Sequence, residues 1–228
     1  MAQSNLESTA KHAIYQTLRR SIILGRRAPG TRLNVEELSE EYGTSITPVR
    51  DALQMLSQES LVTIQPRSGY FVTRVTLKEL RDLLDLREIL ESAAVERAAL
   101  RITDEELDAL EHVHAGYTGD DDFSYDRYTE ENRRFHCLIA QASGNQELTE
   151  SVGHLHDRLA RFMVLRRAGK TMEYTHARII KALRAHDPTL ARQAMVDEIR
   201  DAASLILDRV IQTEGSAWEL GGVAQPGI

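Results

Sequence analysis

Apolar residues repeat at helical spacing three times in the first part of the chain, which predicts three helices. We expect a helix over residues 6–24, a short second helix that ends at the turn Tyr42-Gly43, and a third helix that starts with a Thr47 cap and Pro48. The predicted buried stripes are Ile14, Leu18, Ile22 and Ile23; Val35 and Leu38; and Val49, Ala52, Leu53 and Leu56. Two extended runs, Leu61–Gln65 and Tyr70–Arg74, flank the turn residues Pro66-Arg67-Ser68-Gly69 and predict a hairpin. This order of elements predicts a winged helix-turn-helix.

The helical period continues through the rest of the chain, interrupted by short loops. Capping boxes open two of the predicted helices, at Thr76 with Glu79 and at Thr103 with Glu106. The expected helices cover residues 77–100, 104–117, 127–142, 146–167, 172–186 and 188–212, with a polar break at 118–125. The predicted fold class is mostly α, with a winged helix-turn-helix over residues 6–75, an antiparallel all-helical bundle over 76–212 and a disordered tail over 213–228.

Polar and basic side chains gather where a recognition helix and its wing would meet DNA. The candidates for DNA contact are Ser45, Thr47 and Arg50 on the helix, and Arg67 and Gly69 on the wing. The N-terminal end of a recognition helix contacts base edges and phosphates, and a glycine permits close approach of the wing backbone. Arg50 has an alternative role as an ion-pair partner of Asp51 or Glu59 on the helix surface.

Charge is unevenly distributed along the chain. Residues 1–75 carry nine Lys/Arg and seven Asp/Glu, whereas the remainder carries 19 basic and 28 acidic residues. Phosphate binding responds to the local field, so the total net charge of −7 does not exclude a DNA-binding domain. The single cysteine, Cys137, excludes an internal disulfide. No apolar run approaches the roughly 18 residues of a membrane span, so we expect a cytoplasmic protein without a membrane partner.

The segment from Ile14 to Thr73 resembles the winged helix-turn-helix of the GntR family of bacterial transcription regulators. The resemblance rests on the stretches PGTRLNVEELSEEYGTSITPVRDALQMLSQESLV and IQPRSGYFV. Ile46 departs from the family, in which most members carry a basic residue at that position. A guanidinium can form two hydrogen bonds to guanine, whereas isoleucine offers only apolar contact, for instance to a thymine methyl. The resemblance therefore implies binding to double-stranded DNA with an unusual operator sequence.

The C-terminal half resembles the helical effector domain of the FadR subgroup, known as FCD. The matching stretches are DLLDLREILESAAVERAA at 82–99, NRRFHCLIAQASGN at 132–145 and THARIIKALRAHDPTLARQAM at 175–195. Relatives commonly bind a divalent metal with an aspartate and three histidines, and the resemblance places Asn132, His136, His176 and Glu198 at those positions. Two imidazoles and a carboxylate suit zinc, nickel, manganese or iron, although Asn132 offers only a neutral oxygen. The alternative is that His136 and His176 are hydrogen-bonded core histidines around a metal-free cavity.

Arginines are the candidates for anchoring a carboxylate effector, because a guanidinium can hold a carboxylate through two hydrogen bonds. Arg87 and Arg161 are the residues that we expect in this role. The alternative for each is an ordinary surface or intrahelical ion pair, such as that of Arg87 with Glu91 one turn later. Cys137 is expected to pack against its neighbours. The remaining histidines of this half are expected to be solvated or to cap helices: His112, His114, His154, His156 and His186.

Together these features predict a ligand-responsive transcription regulator that binds a pseudo-palindromic operator as a homodimer. Its expected effector is a small organic acid bound at or near the metal site. One alternative is a metal-sensing regulator with no organic effector. Another is a metal-dependent enzyme that uses His136, His176 and Glu198, but the chain contains no nucleophile elbow, HExxH helix or phosphate loop.

Overall fold

The computed structural model describes residues 2–113, 121–166 and 169–214 of the 228-residue chain. The chain divides into two compact units, Met1–Val75 and Thr76–Ile228. The elements of the first unit are α1 (Ala2–Ile23), β1 (Arg32–Leu33), α2 (Val35–Glu41), α3 (Ile46–Gln58), β2 (Val62–Gln65) and β3 (Gly69–Val72). The elements of the second are α4 (Leu77–Ala99), α5 (Asp104–Glu111), α6 (Asp122–Ala142), α7 (Gln146–Arg166), α8 (Gly169–Arg184) and α9 (Pro188–Glu214). None of the described helices is long and apolar enough to cross a membrane.

The first unit is the predicted winged helix-turn-helix. Helix α3 packs against α1 and α2, and all the apolar positions predicted for the three helices are buried. The wing is a three-stranded antiparallel sheet of order β1-β3-β2, in which Phe71 pairs with Arg32 on one side and with Thr63 on the other. Strand β1 was not predicted, because two residues are too few to show an alternating pattern.

The predicted start of the recognition helix α3 is wrong by two residues. The helix begins at Ile46 with Ser45 in the capping position, so Thr47 does not cap it. Pro48 is consequently the third helical residue and is buried. Proline is tolerated there because the first N–H groups of a helix have no intrahelical acceptor.

The second unit is a helical bundle built around α4. This helix packs against α6, α7, α8 and α9, and ion pairs from Glu88 to Arg200 and from Glu96 to Arg192 show that α4 and α9 run antiparallel. Both predicted capping boxes are present, at Thr76 and at Thr103. The apolar core includes Val95, Leu107, Phe135, Ile139, Ile179, Leu183, Met195 and Ile199.

Two helix starts in this bundle differ from the prediction. Helix α6 begins at Asp122, because the Asp121 carboxylate accepts a hydrogen bond from the Ser124 backbone N–H, so the polar break does not extend to residue 125. Helix α8 begins at Gly169, which was expected to separate two helices. Residues 114–120 and most of the predicted tail, 215–228, lie outside the described residues.

Candidate functional site

A basic groove with a volume of about 430 Å³ lies between α3 and the wing of the first unit. Three arginines from three different elements line it: Arg32 on β1, Arg50 on α3 and Arg67 in the wing turn. The rest of the lining is Leu33, Asn34, Val35, Glu36, Ser68, Gly69 and Tyr70. The groove therefore concentrates positive charge beside the recognition helix, as phosphate binding requires.

The arginines of the basic groove have no counter-ion in the part of the chain that the structure describes. Arg32, Arg50 and Arg67 form no ion pair or hydrogen bond with the residues that the structure describes. Glu59, one alternative partner for Arg50, instead accepts hydrogen bonds from Arg19 and Tyr15. The ion pair expected as an alternative role for Arg50 is thus not formed with Glu59, nor with Asp51. The guanidinium groups are available to an external anion.

The N-terminal end of α3 is exposed beside the basic groove. Ser45 and Thr47 are both exposed, and the Ser45 hydroxyl caps no backbone N–H of the helix. Ile46 is also exposed, with 37% of its surface accessible. This exposure leaves part of the Ile46 side chain available to an external apolar group such as a thymine methyl.

The wing turn depends on two residues with left-handed backbone. Arg67 has φ 65° and Gly69 has φ 104°, and the Ser68 N–H donates to the Gln65 carbonyl at 3.0 Å. Only glycine adopts the second of these conformations without strain. A Cβ at Gly69 would lie 3.8 Å from Arg32 Nε, so the Arg32 side chain lies beside the wing turn. Sequence reasoning missed Arg32, although its position before an apolar residue in a basic, turn-rich stretch was a weak signal.

A buried polar cluster occupies the interior of the second unit. Its members come from five helices, and each has at most 3% of its surface exposed. They are Arg87 and Glu91 on α4, Asn132 and His136 on α6, His156 on α7, His176 on α8 and Glu198 on α9. The structure thus brings all four predicted metal ligands and one of the two predicted effector arginines into the same interior region.

Arg87 is the centre of this buried polar cluster. Its Nε donates to Glu91 Oε1 at 2.8 Å, and one terminal nitrogen donates to Glu198 Oε2 at 3.0 Å. The same nitrogen lies 3.1 Å from His136 Nε2, which must be the acceptor because a guanidinium can only donate. A neutral His136 therefore carries its proton on Nδ1, which faces Glu91 Oε2 at 2.6 Å.

Two ring contacts fix the imidazoles of the cluster. Phe135 stacks on His176 with 3.8 Å between ring centroids, and His136 stacks on His156 at 4.9 Å. His156 Nε2 donates to Glu91 Oε1 at 2.8 Å. The rings are therefore oriented by packing as well as by hydrogen bonds.

The charges of the cluster hold one another in the ionised form. Burial opposes ionisation of Glu91, but Arg87, His136 and His156 together outweigh it and hold the pKa of Glu91 well below its ordinary value. Burial likewise opposes the charge on Arg87, and the carboxylates of Glu91 and Glu198 raise its pKa. Burial lowers the pKa of His156 to about 4, against the opposing effect of Glu91, so this imidazole is neutral near pH 7. One guanidinium consequently faces two carboxylates.

The donor set fits a divalent metal ion by its chemistry. One ligand atom each from His136, His176 and Glu198 lies within 4.8 Å of the others, a spacing that one ion can bridge. Both amide atoms of Asn132 are buried and have no hydrogen-bond partner among the described residues. A buried amide without partners indicates that something else, such as an ion or a ligand, completes the site. A second possible set, Glu91, His136 and His156, shares the His136 ring.

The structure shows where two further residues of the cluster lie. The ion pair between Arg87 and Glu91, which was the alternative to an effector role for Arg87, is formed, and both side chains are buried. His156 was expected to be solvated or capping, which is wrong, and sequence reasoning missed both its place and that of Glu91 in the cluster. A signal was present, since His156 lies among the apolar residues Val152, Leu155 and Leu159 of α7.

The other candidate residues are not members of the buried polar cluster. Arg161 is half-buried, and its guanidinium carbon is 4.5 Å from the centroid of the Phe162 ring. His112 and His154 are exposed, and His186 Nδ1 lies 2.9 Å from the Ala99 carbonyl oxygen, where it can act as a cap, as expected. His114 lies outside the described residues.

Cys137 packs as predicted, beside an apolar cluster of Ala94, Ala140, Leu148 and Val152. Burial raises the pKa of its thiol.

The winged unit with its basic groove and the helical unit with its buried polar cluster together define a ligand-binding transcription regulator. A family model described as "Bacterial regulatory proteins, gntR family" matches residues 10–72, and the FCD domain model matches residues 82–201. The chain belongs to the GntR family, in the FadR subgroup that carries an FCD effector domain. It is a DNA-binding regulator, and not the metal-dependent enzyme considered above.

Relatives support this assignment, and a solved structure shares the fold. The chain is 28% identical over 222 residues to the HTH-type transcriptional repressor RspR of Escherichia coli K12, covering 95% of this chain and 96% of the relative. It is 30% identical over 205 residues to an HTH-type transcriptional regulator of Streptomyces ambofaciens, covering 88% and 86%. The fold is similar to that of E. coli McbR/YncC, with a TM-score of 0.66 at 22% identity over 88% of this chain and 98% of that one.

Proposed function

We propose that this protein is a repressor that binds a pseudo-palindromic operator as a homodimer and responds to a small carboxylate. The observation that carries the DNA part is the basic groove, whose three arginines have no counter-ion among the described residues. Relatives that bear the name repressor, RspR and GlaR of E. coli, support repression as the mode of action.

In this proposal the exposed N-terminal end of α3 contacts the bases, and the wing contacts the DNA backbone. Arg50 and the hydroxyls of Ser45 and Thr47 contact base edges or phosphates in the major groove. Arg67 contacts phosphate, and the left-handed Gly69 lets the wing backbone approach closely. Ile46 packs on an apolar base edge, so a thymine is expected opposite it.

The first experiment selects an operator from a random duplex library and measures binding by fluorescence anisotropy at several salt concentrations. Arg67→Ala should weaken binding to all sequences and reduce the salt slope by about 1. Arg178→Ala removes an equal charge from an exposed ion pair with Asp197 in the second unit, and should leave affinity unchanged. Equal losses in the two variants would refute the assignment of the groove.

Exposed apolar side chains support a second copy of the chain as the partner. Leu86 and Ile89 on α4 are 40% and 59% exposed, and Leu205 on α9 is 44% exposed. All three lie within five residues of the Glu88–Arg200 ion pair that joins these helices. Burying such side chains against a twofold-related copy would remove apolar surface from water, and two copies would present two recognition helices to a palindrome.

Light scattering tests the dimer. Ile89→Glu should shift the protein toward monomer and reduce operator affinity, because a charge would enter the interface. Tyr174→Glu places the same charge at a site on α8 that is 68% exposed, and should stay dimeric. A dimeric Ile89→Glu protein would place the interface elsewhere.

The effector part of the proposal rests on the buried polar cluster. His136, His176 and Glu198 would hold a divalent metal such as zinc, nickel, manganese or iron, with Asn132 close on the same helix face as His136. The ion, when bound, would supply positive charge and open coordination positions for a carboxylate. Arg87 would donate hydrogen bonds to the same carboxylate. Arg161 is proposed as a further contact of the effector. Effector binding would then shift the balance between conformations with high and low affinity for DNA.

Anisotropy with a panel of small mono- and dicarboxylates tests this part, in the presence and absence of Ni²⁺. An acid that changes operator affinity in wild type but not in His176→Ala supports the cluster as the effector site. A response to metal alone would instead favour a metal-sensing regulator. An acid response that survives in His176→Ala would remove the cluster from the mechanism.

A further inference from the structure

Arg87 binds the atoms that a metal ion in this cluster would need. One of its terminal nitrogens donates to Glu198 Oε2 at 3.0 Å and lies 3.1 Å from His136 Nε2. Those two atoms are themselves only 3.9 Å apart, so the guanidinium nitrogen bridges them. We propose that Arg87 and a divalent metal ion are alternative occupants of the space between His136 and Glu198. The proposal rests on the metal site proposed above.

The lone pair of His136 Nε2 can serve only one of the two occupants. While Arg87 donates to Nε2, that lone pair is not available to a metal, which binds through the same unprotonated nitrogen. Glu198 Oε2 accepts a hydrogen bond from the same terminal nitrogen at 3.0 Å. Arg87 is also fully buried, so bulk water does not screen its positive charge from an incoming ion. Metal binding therefore requires the terminal nitrogen of Arg87 to withdraw.

Arg87 makes a further hydrogen bond that would remain if its terminal nitrogen moved away from His136 and Glu198. Its Nε bond to Glu91 Oε1, at 2.8 Å, involves neither His136 nor Glu198. Its other terminal nitrogen, Nη1, is buried without a hydrogen-bond partner among the described residues. After withdrawal, Arg87 would keep Glu91 and expose its terminal nitrogens to an external carboxylate. Metal and acid would accordingly bind cooperatively, because the first frees the arginine that holds the second.

Titration of the metal-stripped, full-length protein with Ni²⁺ by calorimetry tests the competition. Arg87→Met removes the competing cation and should bind Ni²⁺ about tenfold more tightly than wild type. The matched control is Arg200→Met, since Arg200 also joins α9 to α4 through a carboxylate but does so at the surface. The control should bind Ni²⁺ like wild type. Adding His136→Ala to Arg87→Met should abolish binding, which locates the ion.

Each result decides the proposal. An Arg87→Met protein that binds Ni²⁺ no more tightly than wild type overturns the competition while leaving the metal site in place. If neither protein binds Ni²⁺, the metal site fails together with this inference, and the operator assay still reports the regulator function independently. If Arg87→Met does not fold, Arg87→Lys decides, because lysine keeps a charge for Glu91 with a shorter reach. The Arg87→Lys protein should bind Ni²⁺ about threefold more tightly than wild type. An affinity equal to that of wild type would refute the competition between Arg87 and the metal ion.

Discussion

Replacing Glu91 by glutamine removes the carboxylate that accepts hydrogen bonds from both Arg87 and His156. The side chain is 1% exposed, so water cannot replace the lost interaction. Removing one partner of a buried ion pair costs about 3 to 5 kcal/mol. We expect about 3 kcal/mol here, since Glu198 still neutralises Arg87 and glutamine keeps the size and one acceptor oxygen. With a urea slope of about 2 kcal/mol per molar, the unfolding midpoint should fall by about 1.5 M.

Glu88→Gln is the matched control for this experiment. Glu88 lies on the same helix α4 and pairs with Arg200 at 2.7 Å, but the arginine side chain is 68% exposed. Exposed ion pairs contribute about 0 to 1 kcal/mol, so the urea midpoint of this variant should shift little. Urea denaturation followed by far-UV circular dichroism measures both variants. If the two lose the same stability, burial is not what makes the Glu91 network strong, and the reasoning is refuted.

Three further outcomes are expected. Because the pKa of His156 is about 4 in the folded protein and ordinarily 6.5, the folded state takes up this proton less readily than the unfolded state. Stability should fall by about 3 kcal/mol as pH drops from 6.5 to 4, and His156→Gln should flatten that part of the urea-midpoint profile. Thr103→Ala deletes a capping box and should cost about 1 kcal/mol in the same assay, whereas an unchanged midpoint would mean that the cap contributes nothing. Gly69→Ala forces a side chain into φ 104° and should weaken operator binding in the anisotropy assay, while Ser68→Ala should not.

Features that depend on neighbours in sequence were predictable. The capping boxes at Thr76 and Thr103 form because each partner lies three residues away. The apolar stripe of α3 needed only the helical period. The start of α3 was harder, since Ser45 and Thr47 both carry hydroxyls that suit a cap and the local sequence does not choose between them.

Features that depend on the whole bundle were not predictable. The Arg87–Glu91 pair follows from its four-residue spacing, but its burial requires α6, α7 and α9 to cover it. His156 looked like any polar residue on a helix until the packing of α7 against α4 placed it beside Glu91. Arg32 lines the basic groove because the two-residue strand β1 pairs with β3. A strand this short shows no alternating pattern, so this pairing could not be predicted.

The packing of Cys137 makes this chain convenient for site-specific labelling. It is the only thiol, and its raised pKa keeps the reactive thiolate scarce near neutral pH. A cysteine introduced at the exposed wing residue Ser68 would therefore react first with a thiol-specific fluorophore. Such a protein would carry a single dye beside the basic groove, and the dye would report operator capture and release in real time without any labelled DNA.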